Sequence, residues 1–453
     1  MLIEPLPPEL ARPIEAEMRR LQVPGASVGV LFDGRAFTAS FGVTNVAHAL
    51  PVTDTTLFQI GSTSKTFTAT VLMQLVEQGG VDLDATVRTY LPDFRLASEQ
   101  DAARLTVKHL VTHHGGFEGD DARRERDDRG DDALARFVSG MAERPQLTPA
   151  GYTFSYSNAG LYVLGRIIEV VTGQPFERVI RKRIFEPLAM HDSTYFPEYA
   201  LTHRVAAGHV VTADGPVVAR PWHVPRAIAP GGGIISNVAE QLAYADFHLG
   251  DGAAPNGERI LAPATMAFMQ HPQATAGSMC DSIGVTWMLS EIGAAHFVFH
   301  GGATNGHLSS FELVPTRGFA VTALTNSDTG RGLRPFVSEL MRQYFLGIAP
   351  SNPPASPIEL AQLDEYAGRY QQTNAHLQVT TDGSGLVIHE SSPALRATEP
   401  LPVAPVHAVP GDADRFAILA GDRRGETVEF LRDAAGRIEW MRWDGRISRR
   451  MPR

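Results

Sequence analysis

Apolar and polar positions repeat with two different periods along the first part of the chain. Residues 9–21 carry apolar side chains three or four positions apart, which predicts an amphipathic helix. Residues 26–32 and 36–42 predict two strands, joined at Asp33-Gly34, a dipeptide typical of a tight hairpin turn. Residues 66–76 are apolar on nearly every side and predict a largely buried helix.

The middle of the chain alternates between both periods. Its patterns predict helices at 105–111, 156–171, 238–249 and 333–345, and strands at 284–289, 297–300, 309–314 and 319–325. Pro335 is expected in the first turn of its helix, where a missing N–H is tolerated. Because strands lie at both ends with helices between them, we expect an α+β domain over residues 1–346, with an antiparallel sheet flanked by helices and an inserted helical region.

A proline-rich segment at 347–359 interrupts these patterns. Four prolines within it predict a stiff, extended linker. Beyond it, short strand-like segments occur at 366–371, 377–381, 385–389, 404–409, 415–419, 427–431 and 437–443. They predict a second domain at 360–453, a small antiparallel barrel or sandwich.

Composition narrows the possible partners. The chain has 453 residues and a net charge of −10, and it has no block of Lys and Arg, which argues against nucleic acid. The single cysteine, Cys280, excludes an intrachain disulfide and a multi-cysteine metal site. With neither a signal-peptide pattern nor an apolar run of membrane-spanning length, we expect a cytoplasmic protein without a membrane partner. The oligomeric state stays open.

The candidate chemistry begins at Ser62 and Lys65, at the start of the apolar helix. Residues three apart share one helix face, so the lysine is expected to point at the serine hydroxyl. An apolar environment disfavours a charged lysine and lowers its pKa, so that the amine can accept a proton. The helix N-terminus adds partial positive charge where an oxyanion would form.

Two later motifs give this pattern a context. Tyr156-Ser157-Asn158 lies at the start of the helix predicted at 156–171, and His300-Gly301-Gly302 ends a strand. The order S-x-x-K, Y-x-N, H-x-G resembles the serine β-lactamase and penicillin-binding protein superfamily, in its class C β-lactamase, D-aminopeptidase and family VIII esterase branch. Supporting segments that also resemble this family are 23–28, 58–62, 105–113 and 156–165, so the likeness covers residues 10 to 345.

The resemblance implies a role for each motif residue. Ser62 is the nucleophile, and Lys65 and Tyr156 share the task of the base, with the first acceptor left open. Beside an ammonium group the Tyr156 phenol is expected to ionise more readily. Asn158 is expected to bond Lys65 and a substrate amide. The backbone N–H groups of Ser62 and Ala303 are the expected oxyanion hole.

The third motif departs from the family's Lys-Thr-Gly. His300 is expected to be only partly charged near neutral pH, and Gly301 has no hydroxyl, so both lack the groups suited to a β-lactam carboxylate. We therefore expect weak or absent β-lactamase activity and a roomier substrate site lined by Gly301 and Gly302. The acidic and histidine residues of segment 113–120 are better explained as a rim loop than as metal ligands, so no metal or cofactor is expected.

Two residues outside the motifs are further candidates for binding substrate. Trp222 lies in a loop and is either a pocket wall or a packed or exposed side chain. The C-terminal domain resembles the lipocalin-like barrel appended to several family members. Arg446, in its last hairpin, is most simply a solvated arginine, and alternatively it reaches the active-site mouth and binds a carboxylate.

These features favour a serine hydrolase that acts through an acyl-enzyme on an ester or a D-residue-containing amide. The alternative is a penicillin-binding-protein-type peptide cyclase that releases a carrier-bound peptide thioester, because the architecture also resembles that group. A second alternative is an inactive binding homologue, against which the intact Ser62, Lys65, Tyr156 and Asn158 argue. The expected partner is a small-molecule or peptide acyl substrate.

Overall fold

The structure, a computed structural model, describes residues 2–120, 129–349, 360–372, 375–391, 406–410, 414–421 and 423–452. The predicted linker lies outside the described residues from position 350 onwards, as do the first two residues of the strand predicted at 404–409. Among the described residues, no helix combines the length and the apolar character that a membrane span requires.

The large domain holds thirteen strands in its described part. They are β1 Ile3–Pro5, β2 Gly25–Phe32, β3 Arg35–Gly42, β4 Phe58–Gln59, β5 His209–Thr212, β6 Gly215–Val218, β7 Ile235–Ser236, β8 Ala274–Thr275, β9 Ser282–Ile283, β10 Met288–Ile292, β11 Ala295–Thr304, β12 His307–Val314 and β13 Phe319–Thr325. Nine of them form one sheet in the order β1-β3-β2-β13-β12-β11-β10-β9-β8. The pairing is antiparallel except at one edge, where β1 runs parallel to β3.

Helices cover both faces of this sheet. They are α1 Pro8–Leu21, α2 Ser64–Glu77, α3 Val87–Tyr90, α4 Glu99–Arg104, α5 Val107–Val111, α6 Ala133–Ser139, α7 Asn158–Thr172, α8 Phe176–Ile180, α9 Pro197–Ala200, α10 Ala229–Gly232, α11 Val238–Leu249, α12 Pro263–Met269 and α13 Gly330–Met341. Short 3₁₀ or π segments lie at Gly61–Thr63, Gly140–Glu143, Arg181–Phe185, Arg226–Ile228, Pro315–Arg317, Arg342–Leu346 and Leu360–Glu365. The α1 and α13 pair packs on one face, and α11 with the helical region packs on the other.

Local sequence explains the best-predicted elements. The apolar stripe of α1 is buried at Leu10, Ile14 and Met18, one turn apart, as its period requires. Asp33 and Gly34 both have positive φ, 51° and 74°, so the β2–β3 hairpin closes with the mirror-image turn that suits strand twist.

Three sequence predictions need correction. The helix predicted at 333–345 begins at Gly330, so Pro335 lies in its interior, on an exposed position, and not in its first turn. The helix predicted from residue 156 begins at Asn158, because the Ser157 hydroxyl caps it by accepting the Gly160 N–H. The strand predicted at 284–289 is a bend followed by β10, because Thr286 has a φ of +63°, outside the strand region, and donates its N–H to the Val111 carbonyl.

The C-terminal domain is a closed antiparallel barrel, as predicted. Its described strands are β14 Gly368–Gln372, β15 Ala375–Thr381, β16 Leu386–Ser391, β17 Val406–Pro410, β18 Arg415–Ile418, β19 Thr427–Arg432, β20 Ile438–Trp443 and β21 Arg446–Arg450. Pairing of β14 with β21 closes the ring around an apolar interior. Strand β21 is not predicted by the sequence pattern, because three of its five residues are arginines and no alternation stands out.

Candidate active site

Ser62 and Lys65 lie where the large sheet meets the helical region. Ser62 is in the 3₁₀ turn that leads into α2, and Lys65 is in the first turn of α2. Lys65 is fully buried, and its Nζ donates to Ser62 Oγ at 3.0 Å and to the Gly231 carbonyl at 2.6 Å. The structure therefore brings together the two side chains that the spacing paired.

The glycines of α10 make room for this lysine. A Cβ on Gly231 would lie 2.6 Å from the Tyr162 ring and 3.5 Å from Lys65 Nζ. The Gly231 carbonyl was not predicted as the hydrogen-bond acceptor of the lysine. The only available signal was the glycine turn at 231–233, which does not reveal its partner.

Tyr156 stands beside this pair. Its side chain is buried, the Ser62 side chain acts on it to lower the pKa of its hydroxyl, and its ring centroid lies 5.0 Å from Lys65 Nζ. The expectation of easier ionisation is wrong for the resting protein, because burial raises the pKa of Tyr156 well above its usual value and outweighs the Ser62 and Arg446 contributions. The phenol is therefore protonated at neutral pH.

Asn158 is the first residue of α7, and its amide donates to the Asp120 carboxylate. Asp120 also accepts from Arg446 Nε, so one carboxylate joins the second motif to the barrel. This role of Asp120 was not predicted from the sequence. The expected contact of Asn158 with Lys65 stays a prediction.

His300 is buried in β11, and its Nδ1 donates to the Gly301 carbonyl at 2.6 Å. Burial, with the nearby charge of Lys65, lowers the pKa of His300 to about 3, so the expectation of a partly charged ring is wrong. The neutral ring leaves Nε2 as an acceptor, and this atom has no hydrogen-bond partner among the residues that the structure describes.

Neighbouring groups fill the space where side chains would lie at the two glycines after His300. A Cβ on Gly302 would lie 1.9 Å from the Ile60 carbonyl oxygen, so no other residue fits. Arg334 of α13 donates to the carbonyl of Ser309 at 2.6 Å, and its Nη1 lies 3.0 Å from where a Gly301 Cβ would be. The expected extra room at Gly301 is thus filled by an arginine.

Ala303 approaches the turn that carries the serine. A Cβ on Gly61, whose φ is +52°, would lie 2.5 Å from the Ala303 nitrogen. On the helix side, Thr63 and Ser309 hydroxyls lie 3.0 Å apart, and Ser309 Oγ donates to the Ile60 carbonyl. These contacts fix β11 and β12 against the serine turn, as an oxyanion hole shared by Ser62 and Ala303 would require.

The barrel contributes one wall of the site. The β20–β21 hairpin turns at Asp444-Gly445, and the Gly445 carbonyl accepts the N–H of Tyr156 at 2.9 Å. The guanidinium carbon of Arg446 lies 4.7 Å from the Tyr156 ring centroid. Its side chain is 23% exposed, so the simpler interpretation of a solvated hairpin arginine is wrong.

The position of Trp222 does not by itself indicate a pocket wall. It is half-buried, its Nε1 donates to the Ala206 carbonyl at 2.9 Å, and its ring packs against an apolar cluster of Leu57 and Ile235. These contacts explain its position without a ligand, and a role in binding substrate stays a prediction.

The fold and the site together define a β-lactamase-like domain with an appended barrel. The sequence model described as Beta-lactamase matches residues 10–344, so the chain belongs to the β-lactamase family. It is 35% identical over 364 residues to "Penicillin-binding protein 4" of Amycolatopsis lactamdurans, covering 77% of this chain and 93% of that relative.

Solved structures extend the comparison of folds. A structure titled "Crystal structure of SurE with D-Leu" covers 98% of this chain and 99% of its own, with a TM-score of 0.72 and 23% identity. A D-amino acid amidase from Ochrobactrum anthropi, complexed with L-phenylalanine amide, covers 75% of this chain and 97% of its own, with a TM-score of 0.62 and 24% identity. The first likeness includes the barrel.

Proposed function

We propose that the protein is a serine hydrolase that forms an acyl-enzyme on Ser62 with an ester or a D-residue-containing amide or peptide. The observation that supports this most is the 3.0 Å contact between the Nζ of the fully buried Lys65 and Ser62 Oγ. A serine hydroxyl is a weak nucleophile unless an adjacent base takes its proton.

In this proposal the Lys65 amine accepts the proton as Ser62 Oγ bonds to the substrate carbonyl carbon. The oxyanion is held by the backbone N–H groups of Ser62 and Ala303, beside the N-terminus of α2. The raised pKa of Tyr156 favours its protonated form, which then gives its proton to the leaving group as the C–X bond breaks. Proton transfer from Lys65 restores the phenol, and water releases the acyl group.

Arg446 is proposed to bind a carboxylate of the substrate. Its guanidinium is held over Tyr156 by Asp120, close to the reacting serine. Planar, bidentate pairing with a carboxylate suits arginine better than lysine. We expect weak β-lactamase activity, because His300 is neutral and Gly301 has no hydroxyl.

The D-residue preference is supported by two relatives in fold, one solved with D-Leu and one a D-amino acid amidase. The test compares p-nitrophenyl esters of N-acyl-D-Leu and N-acyl-L-Leu, with nitrocefin as the lactam arm. We expect p-nitrophenol to be released faster from the D-ester than from the L-ester, and nitrocefin to be turned over only slowly. Ser62→Ala should turn over neither the esters nor nitrocefin. The exposed Ser139→Ala is the matched control and should keep full activity. Equal turnover by Ser62→Ala would refute the proposal.

A second candidate is acyl transfer, in which an amine of the substrate itself attacks the acyl-enzyme and closes a peptide ring. The appended barrel, whose Gly445 carbonyl accepts the Tyr156 N–H, favours it, because the sequence resembles peptide cyclases that carry such a barrel. A peptidyl thioester mimic ending in D-Leu distinguishes the two by product mass. Loss of the thiol alone indicates cyclisation, and a further gain of one water indicates hydrolysis. If neither the cyclised nor the hydrolysed product forms and Ser62 carries no covalent label, the result would support an inactive binding homologue.

A further inference from the structure

His113 lies next to the candidate site, and the proposed chemistry does not use it. It follows α5, is fully buried, and has a φ of +59°, which is uncommon for a residue other than glycine. A backbone conformation of this kind persists only where surrounding contacts hold it. Those contacts converge on one short segment.

The segment is 155–157, with Tyr156 at its centre. The Ser155 N–H donates to the His113 carbonyl at 2.9 Å, and the Ser157 N–H donates to His113 Nδ1 at 3.1 Å. Tyr156 itself donates to the Gly445 carbonyl of the barrel. Thus His113 holds the backbone on either side of the tyrosine, and the hairpin holds the tyrosine between them.

The ring of His113 also fixes the phenol. It stacks on the Tyr156 ring with centroids 4.5 Å apart and planes 29° from parallel, and Phe154 packs edge-on against it at 5.7 Å. Because Nδ1 accepts a hydrogen bond, the proton of the neutral ring is on Nε2. Burial and the nearby charge of Lys65 lower the pKa of His113 well below its usual value, so the ring adds no second cation beside the lysine.

We propose that His113 is a positioning residue, whose backbone carbonyl, Nδ1 and ring face together hold the Tyr156 hydroxyl at Ser62. It touches neither the substrate nor the serine in this role and acts through the tyrosine alone. The inference rests on the proposed function, since it assigns a purpose to the placement of Tyr156. A misplacement of about 1 Å at such a group can cost about 100-fold in rate.

The test is a double-mutant cycle on the rate of Ser62 labelling by a fluorophosphonate, followed by intact-protein mass. The proteins are wild type, His113→Ala, Tyr156→Phe and the double variant. We expect His113→Ala to lower the labelling rate by about 10- to 100-fold in the wild-type background. In the Tyr156→Phe background the same substitution should lower that rate by less than about twofold. Equal falls in both backgrounds would mean a merely structural role and would overturn the proposal.

His113→Asn keeps the test usable if the alanine variant does not fold. Asparagine tolerates positive φ and offers an acceptor to the Ser157 N–H, but it has no ring. We expect a labelling rate between those of the wild type and His113→Ala. The alkaline limb of the labelling rate plotted against pH should also move to lower pH, because water reaches the Tyr156 phenol. A wild-type rate with an unmoved limb contradicts the proposal. Failure of the wild type to label would instead refute the proposed function.

Discussion

The wall of the site that belongs to the large domain and the wall that belongs to the barrel are built from different chemistry. On the inner wall, Lys65 is fully buried and His300 is neutral, with Tyr156 protonated through burial. On the outer wall, Arg446 and Asp444 meet charged groups of the large domain and of neighbouring barrel strands. Burial controls protonation on the inner wall, while paired charges control orientation on the outer one.

This contrast predicts how each wall responds to change. A buried group has no water to replace a lost partner, so its removal changes the chemistry directly. Ion pairs that are partly exposed are each worth little, and salt screens them. Changes to the inner wall should therefore stop catalysis, whereas changes to the outer wall should weaken it and leave the fold intact.

The largest effect is expected from Lys65→Met. Removal of the amine beside Ser62 should lower kcat/KM by about a thousandfold, within the range of a lost general base. The free energy of unfolding should fall by no more than about 1–3 kcal/mol, since an apolar chain of similar length replaces the buried amine and leaves the Gly231 carbonyl without its donor. Esterase kinetics and urea unfolding measure both. The exposed Lys182→Met is the control, and retention of activity by Lys65→Met would contradict the role of the inner wall.

The second effect is an acid-dependent loss of stability. Burial lowers the pKa of His248, His300 and His307 to about 3 each. The unfolded chain binds protons at these residues below about pH 6.5 and the folded protein does not, so stability falls as pH falls, by about 1.4 kcal/mol per pH unit for each histidine.

The check is urea unfolding between pH 7 and 5, with His307→Leu as the differential variant. The slope of stability against pH should fall by the contribution of about one proton in this variant. Identical slopes for the variant and the wild type would mean that His307 is not held neutral by burial.

A moderate effect is expected from Arg446→Ala. Loss of the guanidinium over Tyr156 should lower kcat/KM for carboxylate-bearing substrates by about tenfold, with a smaller change for neutral esters. Arg437→Ala, on an exposed turn of the same barrel, is the matched control. Unchanged kinetics on every substrate class would show that the outer wall takes no part in substrate binding.

The smallest effect is expected from Glu426→Gln in the barrel. Its carboxylate pairs with Arg331 of α13 at 3.0 Å across the domain boundary, and both side chains are about one-third exposed. We expect a loss of less than about 1 kcal/mol in the free energy of unfolding, and less still at high salt. A loss several times larger in calorimetry would mean that the outer wall is not made of weak, separable contacts.

The sequence predicted what depends on neighbouring positions. Ser62 and Lys65 are one helical turn apart, so their contact follows from the spacing alone. The contacts of Tyr156 with His113 and Gly445 join distant segments, and no local pattern indicates them. The protonation of Tyr156 and His300 was predicted wrongly, because burial is a property of the assembled core and outweighs the nearby charges.

The central claim is that Ser62 becomes acylated. Rapid mixing of the wild type with an N-acyl-D-Leu thioester, followed by acid quenching and intact-protein mass, measures this directly. We predict a transient gain equal to the acyl group, located by peptide mapping at Ser62 and absent from Ser62→Ala. Turnover of the thioester with the adduct on another residue, or persisting in Ser62→Ala, would contradict the account.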